Sequence, residues 1–421
     1  MSLSADKQPP VLLVHPTGNA NVRQAAQALN EAGLLAGYHT TIAWKPESFL
    51  NRFLPGGVRS ELARRSYPGL PAALVHSHPW QEIFRLIALR SKVRSLTRHE
   101  SGAFSLDAIC KALDRAVARS IASSKTADAV YAYDDCALKS FRAARGRGCF
   151  CFYELPIGYL RRWRAIRDEE IELEPLWGRT LAAGIDSEEK LLRKDAEIAA
   201  ADQVIVPSRF VADSLAGSPA RKVAIVPYGC PTPTSACVRL PRPSGPLRVL
   251  YVGSVGQRKG ISYLLRAMEL LRGQAKLSLI GRCAHLPDEL AAQLNQHTWT
   301  HSLPHEKVLE AMRNHDVLVL PTLFEGRALV VLEALSQGLP VITTLNSGTE
   351  DVVRDGVSGF IVPIRSSDAI AAALTRLAEN ADLLAEMSAA ACRIATEWSW
   401  SDYRKRLLEV VGGCLQPNQE N

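Results

Sequence analysis

Short apolar runs and amphipathic stretches alternate regularly along the second half of the chain. The runs are strand-sized and almost continuously apolar, which is typical of strands buried on both faces of a parallel sheet. They predict strands at Arg248–Gly253, Lys276–Gly281, Val317–Pro321, Pro340–Thr344 and Gly359–Val362. The helical periodicity between and after them predicts helices at Ile261–Leu271, His305–Asn314, Ala328–Gln337, Thr349–Val353 and Ser367–Asn380. Strict alternation with short connections predicts an α/β domain with a doubly wound parallel sheet.

The first half shows the same alternation less regularly. A strand at Val11–His15, a break at Gly18 and an alanine-rich helix at Val22–Ala32 resemble the opening of a Rossmann-like domain. Further strands are predicted at Ala129–Tyr133, Cys149–Tyr153, Gln203–Pro207 and Val223–Pro227, with a charged helical region at Arg161–Ala201. We therefore predict a first Rossmann-like domain over 1–240 and a second over 246–395, with Pro231–Pro246 as linker. Residues 396–421 are predicted to form a helix and tail that pack back on the first domain.

Composition excludes several classes of protein. The 421 residues are 47% hydrophobic and 22% charged, as in a globular enzyme and unlike a fibrous or disordered chain. No apolar run approaches the roughly 18 residues of a membrane span, and the first ten residues lack the apolar region of a signal peptide. Nine cysteines without a CxxC pair argue against a disulfide framework. These features together predict a protein of the cytoplasm.

The net charge of +7 is unevenly distributed. Nine cations between Arg52 and Arg98 face only Glu61 and Glu82, which suits an anionic partner. The segment Trp80–His99 mixes apolar residues with these cations. It can be an amphipathic helix that lies on an anionic membrane, or a helix packed on the core with a solvated basic face. Nucleic acid is disfavoured because no aromatic residues alternate with the cations in a known module.

The segment Pro321–Pro340 carries the candidate chemistry. It places Glu325 and Glu333 eight residues apart, after a predicted strand. If both were helical, they would lie about 12 Å apart along the axis. That is too far for two carboxylates that flank one glycosidic bond at roughly 5 to 9.5 Å, but it matches the reach of a nucleotide sugar. The alternative is a capping Glu325 and a solvated Glu333, which the apolar run Leu329–Leu335 around Glu333 disfavours.

This segment resembles the Glu-x7-Glu motif of the family-4 retaining glycosyltransferases, which have the GT-B fold of two Rossmann-like domains facing across a cleft. The resemblance covers Arg248 to Ala395 and is weaker over the first half. It includes the segments Tyr251–Gly260, Leu279–Gly281, Asp355–Pro363, Asp202–Val211 and Ile225–Gly229.

The resemblance implies a role for each matching residue. Glu333 would bind the ribose hydroxyls, Glu325 the transferred sugar, and Lys259 the donor diphosphate. Arg258 would assist or be solvated. Amides and the positive dipole at the start of the following helix would hold the diphosphate. The remaining residues assigned to donor binding are Ser254, Gly253, Gly281, Gly326, Arg327, Ala328, Leu329 and Gly18.

Two departures from the family pattern affect the site. Ser254 stands where the family often has a second diphosphate-binding arginine, so the other cations must carry more of that charge. Where the first domain often places a histidine after a strand, this chain has Glu154. Glu154 either replaces that polar group in the cleft, as a catalytic residue, or caps a turn.

The expected activity is metal-independent transfer of a hexose-type sugar from a nucleotide sugar, which serves as co-substrate without a further cofactor. The acceptor would be a glycan or lipid-linked glycan of the cell surface. No Asp-x-Asp motif is present, and His76 and His78 lack a third ligand at a recognisable spacing. A nucleotide-sugar epimerase of the same fold and a catalytically silent sugar-nucleotide-binding subunit remain open alternatives.

Overall fold

The computed structural model describes residues 10–124, 127–181, 185–233, 237, 245–283 and 286–416. The first of its two sheets has seven parallel strands in the order β3-β2-β1-β4-β5-β6-β7. These strands are β1 Val11–Val14, β2 Leu35–Thr40, β3 Val75–Ser77, β4 Ala129–Tyr133, β5 Phe150–Glu154, β6 Gln203–Val206 and β7 Val223–Ile225. The helices around them are α1 Ala20–Glu31, α2 Gly56–Ala63, α3 Trp80–Arg90, α4 Leu106–Ser123, α5 Leu138–Arg145, α6 Leu160–Leu173, α7 Pro175–Gly178, α8 Glu188–Ala200 and α9 Arg209–Ser214.

The second sheet has six parallel strands in the order β10-β9-β8-β11-β12-β13. They are β8 Leu247–Val252, β9 Ala275–Ile280, β10 Thr298–Thr300, β11 Val317–Leu320, β12 Val341–Thr343 and β13 Gly359–Ile361. The helices are α10 Ile261–Leu270, α11 Asp288–Leu294, α12 His305–Asn314, α13 Leu329–Ser336, α14 Ser367–Glu379, α15 Ala381–Glu397 and α16 Trp400–Leu415. Both sheets therefore have the doubly wound order in which ligands bind beyond the carboxyl ends of the strands.

The hydrophobic sequence pattern explains the cores. Strands β1, β4, β6 and β11 are buried along their whole length, because helices cover both faces of each sheet. The α/β fold predicted from the sequence is confirmed.

Several predicted elements need correction. Thr349–Val353 is not a helix but a single turn, in which the amides of Val352 and Val353 both bond to the Thr349 carbonyl. Ser358 Oγ then donates to the Val352 carbonyl and ends the turn. Strands β2, β3 and β10 were not predicted. Most of the predicted linker Pro231–Pro246 lies outside the described residues.

The cysteine interpretation also needs correction. Cys237 and Cys392 form a disulfide that closes a loop of 155 residues. Among the other described cysteines, four are buried, as expected of small apolar side chains, namely Cys110, Cys136, Cys151 and Cys230. One disulfide means that the cysteines alone do not define a reducing compartment.

The chain crosses between the two domains a second time near its C-terminal end. The amide of Cys230 donates to the Trp398 carbonyl, and a β-bridge joins Cys230 to Ser399. Helix α16 then packs on α1, where Arg404 donates to Gln24 at 2.5 Å. Within the described residues, no helix is both long and apolar enough to cross a bilayer.

Candidate active site between the two domains

Two glycines let the ends of β8 and β9 come into contact. Gly253 and Gly281 have φ angles of 148° and 153°, and a Cβ on Gly281 would lie 1.7 Å from the Gly253 carbonyl oxygen. Only glycine fits such an approach with that backbone. Ser254 follows as an exposed residue, and its carbonyl accepts a 2.7 Å hydrogen bond from Tyr251. Both glycines and Ser254 thus lie at the carboxyl edge of the second sheet.

A tight turn carries the two basic residues of the site. Gly260 has a φ of 71°, and a Cβ there would lie 2.0 Å from the Pro321 carbonyl oxygen. This close approach sets the turn 257–259 against the end of β11, where Leu323 N and Thr322 Oγ1 both donate to the Arg258 carbonyl. Arg258 and Lys259 therefore reach the segment that contains Glu325.

Glu325, Lys259 and Arg258 form one nearly buried ionic cluster. The Glu325 carboxylate pairs with Lys259 Nζ and with Arg258 Nη1, which also donates to the Phe324 carbonyl at 2.9 Å. Burial opposes ionisation of Glu325, but Lys259 and Arg258 together lower its pKa. Burial also lowers the pKa of Lys259, an effect that Glu325 partly offsets. Two cations share one carboxylate, so the cluster keeps an excess positive charge.

Glu333 stands apart from that cluster on α13. Its side chain is 23% exposed, and His305 Nδ1 lies 3.9 Å from its carboxylate. Partial burial raises its pKa, because the carboxylate has lost part of its hydration without gaining a strong partner. Glu333 is therefore an accessible hydrogen-bond acceptor.

The segment between the two glutamates differs from the expected helix. Helix α13 begins at Leu329, with Ala328 at its N-cap, so Glu325 lies in the preceding loop and the 12 Å estimate does not apply. The Ala328 amide donates to the Ser347 carbonyl. The Arg327 side chain is fully buried, paired with Asp351 at 2.7 Å and bonded to the Tyr228 and Gly348 carbonyls. Arg327 holds the loop in place, and its guanidinium is not presented to solvent.

The first domain closes directly over this loop. A Cβ on Gly326 would lie 1.7 Å from the Pro156 carbonyl oxygen. The Gly158 amide donates to the Glu325 carbonyl at 3.3 Å, and Ser208 Oγ donates to the Gly326 carbonyl at 2.6 Å. Glu325 and Gly326 therefore lie at the line where the two domains meet.

Glu170 of α6 is a residue of this interface that the sequence analysis missed. Its fully buried carboxylate accepts from Gln257 Nε2, the Tyr263 hydroxyl and Arg365 Nε, each at 2.7 Å. Thr180 Oγ1, also in the first domain, accepts from the Gln257 amide at 2.9 Å. The first domain thus holds the turn that presents Arg258 and Lys259. No local motif signals Glu170, because its partners lie far away in sequence.

Glu154 neither caps a turn nor reaches solvent. It is 1% exposed at the end of β5, and its carboxyl accepts from the Tyr131 hydroxyl at 2.5 Å, the Tyr228 hydroxyl at 2.6 Å and Asn21 Nδ2 at 3.3 Å. Burial raises its pKa despite these donors. It occupies a closed phenolic cluster, and its assignment as a catalytic group stays a prediction.

Gly18 lies at the carboxyl end of β1 as a Rossmann opening requires. A Cβ there would come within 2.6 Å of the Tyr67 ring, so Tyr67 covers the turn. Neighbouring His15 is buried, which lowers its pKa to about 3.

A cavity of about 250 Å³ opens beside the ionic cluster. Its walls include Trp163, Arg164 and Arg167 from α6, together with Thr180 and Arg258. Because Arg258 belongs to both the cavity and the cluster, a molecule in the cavity would lie close to Glu325.

Comparison with known structures identifies the fold. Sucrose-phosphate synthase from Thermosynechococcus elongatus superposes with a TM-score of 0.65 at 17% identity, covering 97% of this chain and 99% of that one. Anabaena HepE in complex with UDP gives 0.62 at 14% identity, over 96% of this chain and 100% of that one. The protein has the GT-B fold.

Residues 238–393 match the family described as Glycosyl transferases group 1. The amylovoran biosynthesis glycosyltransferase of Erwinia amylovora is 27% identical over 186 residues, which are 39% of this chain and 44% of that protein. The chain spans about half the length of the curated relatives it matches. The resemblance to group 1 glycosyltransferases is confirmed for the second domain, and assignment to the retaining family 4 stays a prediction.

Proposed function

We propose that this protein is a retaining, metal-independent glycosyltransferase that moves a hexose-type sugar from a nucleotide sugar to an acceptor hydroxyl. The observation that supports this best is the cluster of Glu325, Lys259 and Arg258 at the junction of the two domains. A buried site with excess positive charge suits a diphosphate, since nothing else in the cluster neutralises the second cation.

Exchange of ionic partners links binding to catalysis in this proposal. The donor diphosphate takes over Lys259 and Arg258 from Glu325, while Glu333 accepts hydrogen bonds from the ribose hydroxyls. Glu325, released from its cations, accepts hydrogen bonds from the hydroxyls of the transferred sugar. The acceptor hydroxyl attacks the anomeric carbon and passes its proton to the departing phosphate oxygen as the bond to the diphosphate breaks. The two cations stabilise the charge that develops on the leaving group.

Positioning supplies the rest of the rate enhancement. The first domain holds the 257–259 turn through Glu170 and Thr180, so the cations are fixed before the donor arrives. The cavity beside Arg258 would admit the acceptor. The similarity to the amylovoran biosynthesis glycosyltransferase supports an acceptor in cell-surface polysaccharide or glycolipid synthesis.

The HepE complex supports a uridine nucleotide as the first ligand to test. We expect a thermal-shift panel of UDP, GDP, ADP and their sugars to show that one base is preferred. The shift should be measurable, because a ligand at a hundred times its Kd stabilises the folded protein by about 2.7 kcal/mol. The preferred donor, radiolabelled in the sugar, should then yield labelled free sugar or labelled acceptor.

The same assay separates the alternatives. An epimerised donor would identify a nucleotide-sugar epimerase, and saturable binding without turnover would identify a silent binding subunit. Either result would overturn the proposal.

For location, we propose the cytoplasm, with contact at the inner face of the membrane. The Cys237–Cys392 disulfide is the observation against this location, since such bonds are rare in reducing compartments. Alkylating the thiols in intact cells before lysis, followed by mass spectrometry, would show whether that pair is oxidised there.

A further inference from the structure

Helix α3 turns three large apolar side chains of one face toward solvent. Trp80, Phe84 and Ile87 are 71%, 46% and 53% exposed, and their spacing of four and three residues places them on one face. Isolated exposed apolar residues are ordinary, whereas three on one helical face form a patch. This face is therefore a candidate contact surface.

The opposite side of α3 buries a charge. Glu82 is 1% exposed and is held by Arg65 Nη2 at 2.6 Å and by Arg85 Nε at 2.7 Å. An ordinary surface helix buries its apolar stripe and exposes its charges, so the buried Glu82 and the three exposed apolar side chains depart from that pattern. Ala88 is buried and Ile83 and Leu86 are half-buried on the same helix, so the interpretation of Trp80–His99 as a core-packed helix with a solvated basic face stays an alternative.

Cations flank the apolar face. Arg90, Lys92 and Arg94 are all exposed at the C-terminal end of α3 and just beyond it, and the exposed Val93 lies among them. Because Glu82 is internal and already paired, it does not offset these charges at the surface.

A second exposed apolar group precedes α2. Phe49 and Phe53 are 67% and 71% exposed, and Arg52 lies over the Phe49 ring at 5.9 Å. Exposed aromatic rings and cations therefore occur together at a second place in the basic part of the first domain.

We propose that the α3 surface, defined by Trp80, Phe84, Ile87, Arg90, Lys92 and Arg94, docks on an anionic phospholipid membrane. The apolar face enters the boundary between headgroups and acyl chains, where tryptophan is favoured, while the cations meet the phosphates. A second copy of the chain is a poorer occupant, because it would bring the same cations together. This inference is independent of the sugar donor and of any catalytic step.

Co-sedimentation with vesicles tests the surface. The wild type should bind vesicles of phosphatidylglycerol and phosphatidylcholine, bind pure phosphatidylcholine at least tenfold more weakly, and lose affinity as salt rises. The variant Trp80→Ser/Phe84→Ser/Ile87→Ser should lose at least tenfold in partition to anionic vesicles. Arg90→Gln/Lys92→Gln/Arg94→Gln should lose a similar factor and show a weaker salt dependence. Arg85 is left intact, because its pairing with buried Glu82 would confound the result.

A matched control replaces exposed apolar residues elsewhere. Leu192 and Leu270 are 58% and 53% exposed, so Leu192→Ser/Leu270→Ser should bind vesicles like the wild type. Brominated lipids should quench part of the tryptophan fluorescence of the wild type and less of that of Trp80→Phe. Far-ultraviolet circular dichroism and the melting temperature would show that each variant is folded.

Three results would overturn the proposal. One is the absence of any preference for anionic vesicles, and another is equal loss in the control variant. The third is a concentration-dependent dimer that the Trp80→Ser/Phe84→Ser/Ile87→Ser variant abolishes while vesicles stay unbound, which would assign the surface to self-association.

Discussion

Glu325 in the second domain and Glu154 in the first are both nearly buried carboxyl groups. Glu325 follows a parallel strand and Glu154 ends one, yet their surroundings shift the two pKa values in opposite directions. Glu325 has two cations beside it, and its pKa is lowered. Glu154 has phenol and amide donors but no cation in contact, and its pKa is raised. Burial disfavours the ionised form of both, so the neighbouring charges decide in which direction each pKa shifts.

This difference distinguishes the Glu325 site, which can exchange its ionic partners, from the Glu154 cluster, which is closed. The charges around Glu325 do not cancel, so an incoming anion can replace it beside Lys259 and Arg258. The hydrogen bonds around Glu154 join Asn21 of α1 to Tyr228, which lies in the segment leading to the domain crossing. The proposed function therefore assigns Glu325 to the chemistry, and the contacts of Glu154 favour a role in holding the first domain together.

The sharpest test of the comparison removes the central cation. Lys259→Ala should reduce kcat/KM for sugar transfer by roughly 100- to 1000-fold, because one donor to the developing charge is lost from a buried site. Steady-state kinetics on the preferred nucleotide sugar measures the loss. Lys276→Ala, which removes an exposed lysine of the same domain, is the matched control and should retain activity. A Lys259 variant with wild-type kinetics would contradict the diphosphate role.

Removal of Glu333 should give the next largest effect. Glu333→Ala deletes two charge-assisted hydrogen bonds to ribose, a loss of about 2–4 kcal/mol in binding free energy. Donor affinity, measured by calorimetry, should fall at least about tenfold, at about 1.4 kcal/mol per factor of ten. The melting temperature should barely change, because the side chain is partly exposed and pairs only loosely with His305. Exposed Glu306 on α12 supplies the control, and equal affinity in both variants would sink the ribose assignment.

The second domain was more predictable than the first, for a physical reason. Its strands are continuous apolar runs, and its site residues fall within two short motifs, around Lys259 and from Glu325 to Glu333. Strands β3 and β10 were missed because their sequences, Val-His-Ser and Thr-Trp-Thr, contain no apolar run, and Gly37 interrupts the apolar pattern of β2. The segment Thr349–Val353 was predicted as a helix, but it forms only one helix-like turn.

Contacts between segments that lie far apart in the chain could not be predicted from the sequence. Gln257 meets Glu170 across 87 residues, and Glu154 meets Tyr228 across 74. No periodicity encodes such pairs, because the fold alone brings them together. The orientation of α3 was likewise undetermined, since periodicity identifies two faces of a helix and not which one is buried.

The hydrogen bonds inside the Glu154 cluster should contribute to the free energy of unfolding. Glu154→Ala leaves the Tyr131 and Tyr228 hydroxyls without their acceptor, and should lower the free energy of unfolding by about 2–4 kcal/mol. Glu154→Gln keeps an acceptor and should cost less. Urea unfolding monitored by circular dichroism measures both. Loss of turnover in Glu154→Gln at unchanged stability would instead favour a catalytic role.

The raised pKa of Glu154 gives that cluster a pH dependence. Folding favours the protonated form, so its contribution to stability is complete below the ordinary pKa of 4.5 and is lost as the pH rises through the higher folded value. The wild type should therefore lose stability relative to Glu154→Gln as the pH rises through that window. Parallel curves for the two proteins would mean that the carboxyl does not titrate differently on folding.

The smallest expected effect comes from chelation. If Lys259 and Arg258 neutralise the diphosphate, EDTA should leave the transfer rate unchanged, and added Mg²⁺ should not raise it.

Among the described residues, one group of three side chains has a geometry that can hold a metal ion, formed by His99, Glu100 and Asp186. Lys190 Nζ already pairs with Asp186 at 2.9 Å, and a cation there would compete with it. The variant His99→Asn separates the possibilities, because it weakens that group and leaves the ionic cluster intact. If EDTA abolishes transfer, Mg²⁺ restores it and His99→Asn does not change this response, then a metal ion binds at the diphosphate itself. The comparison of Glu325 with Glu154 would then be incomplete, because that metal ion would be the largest charge in the site.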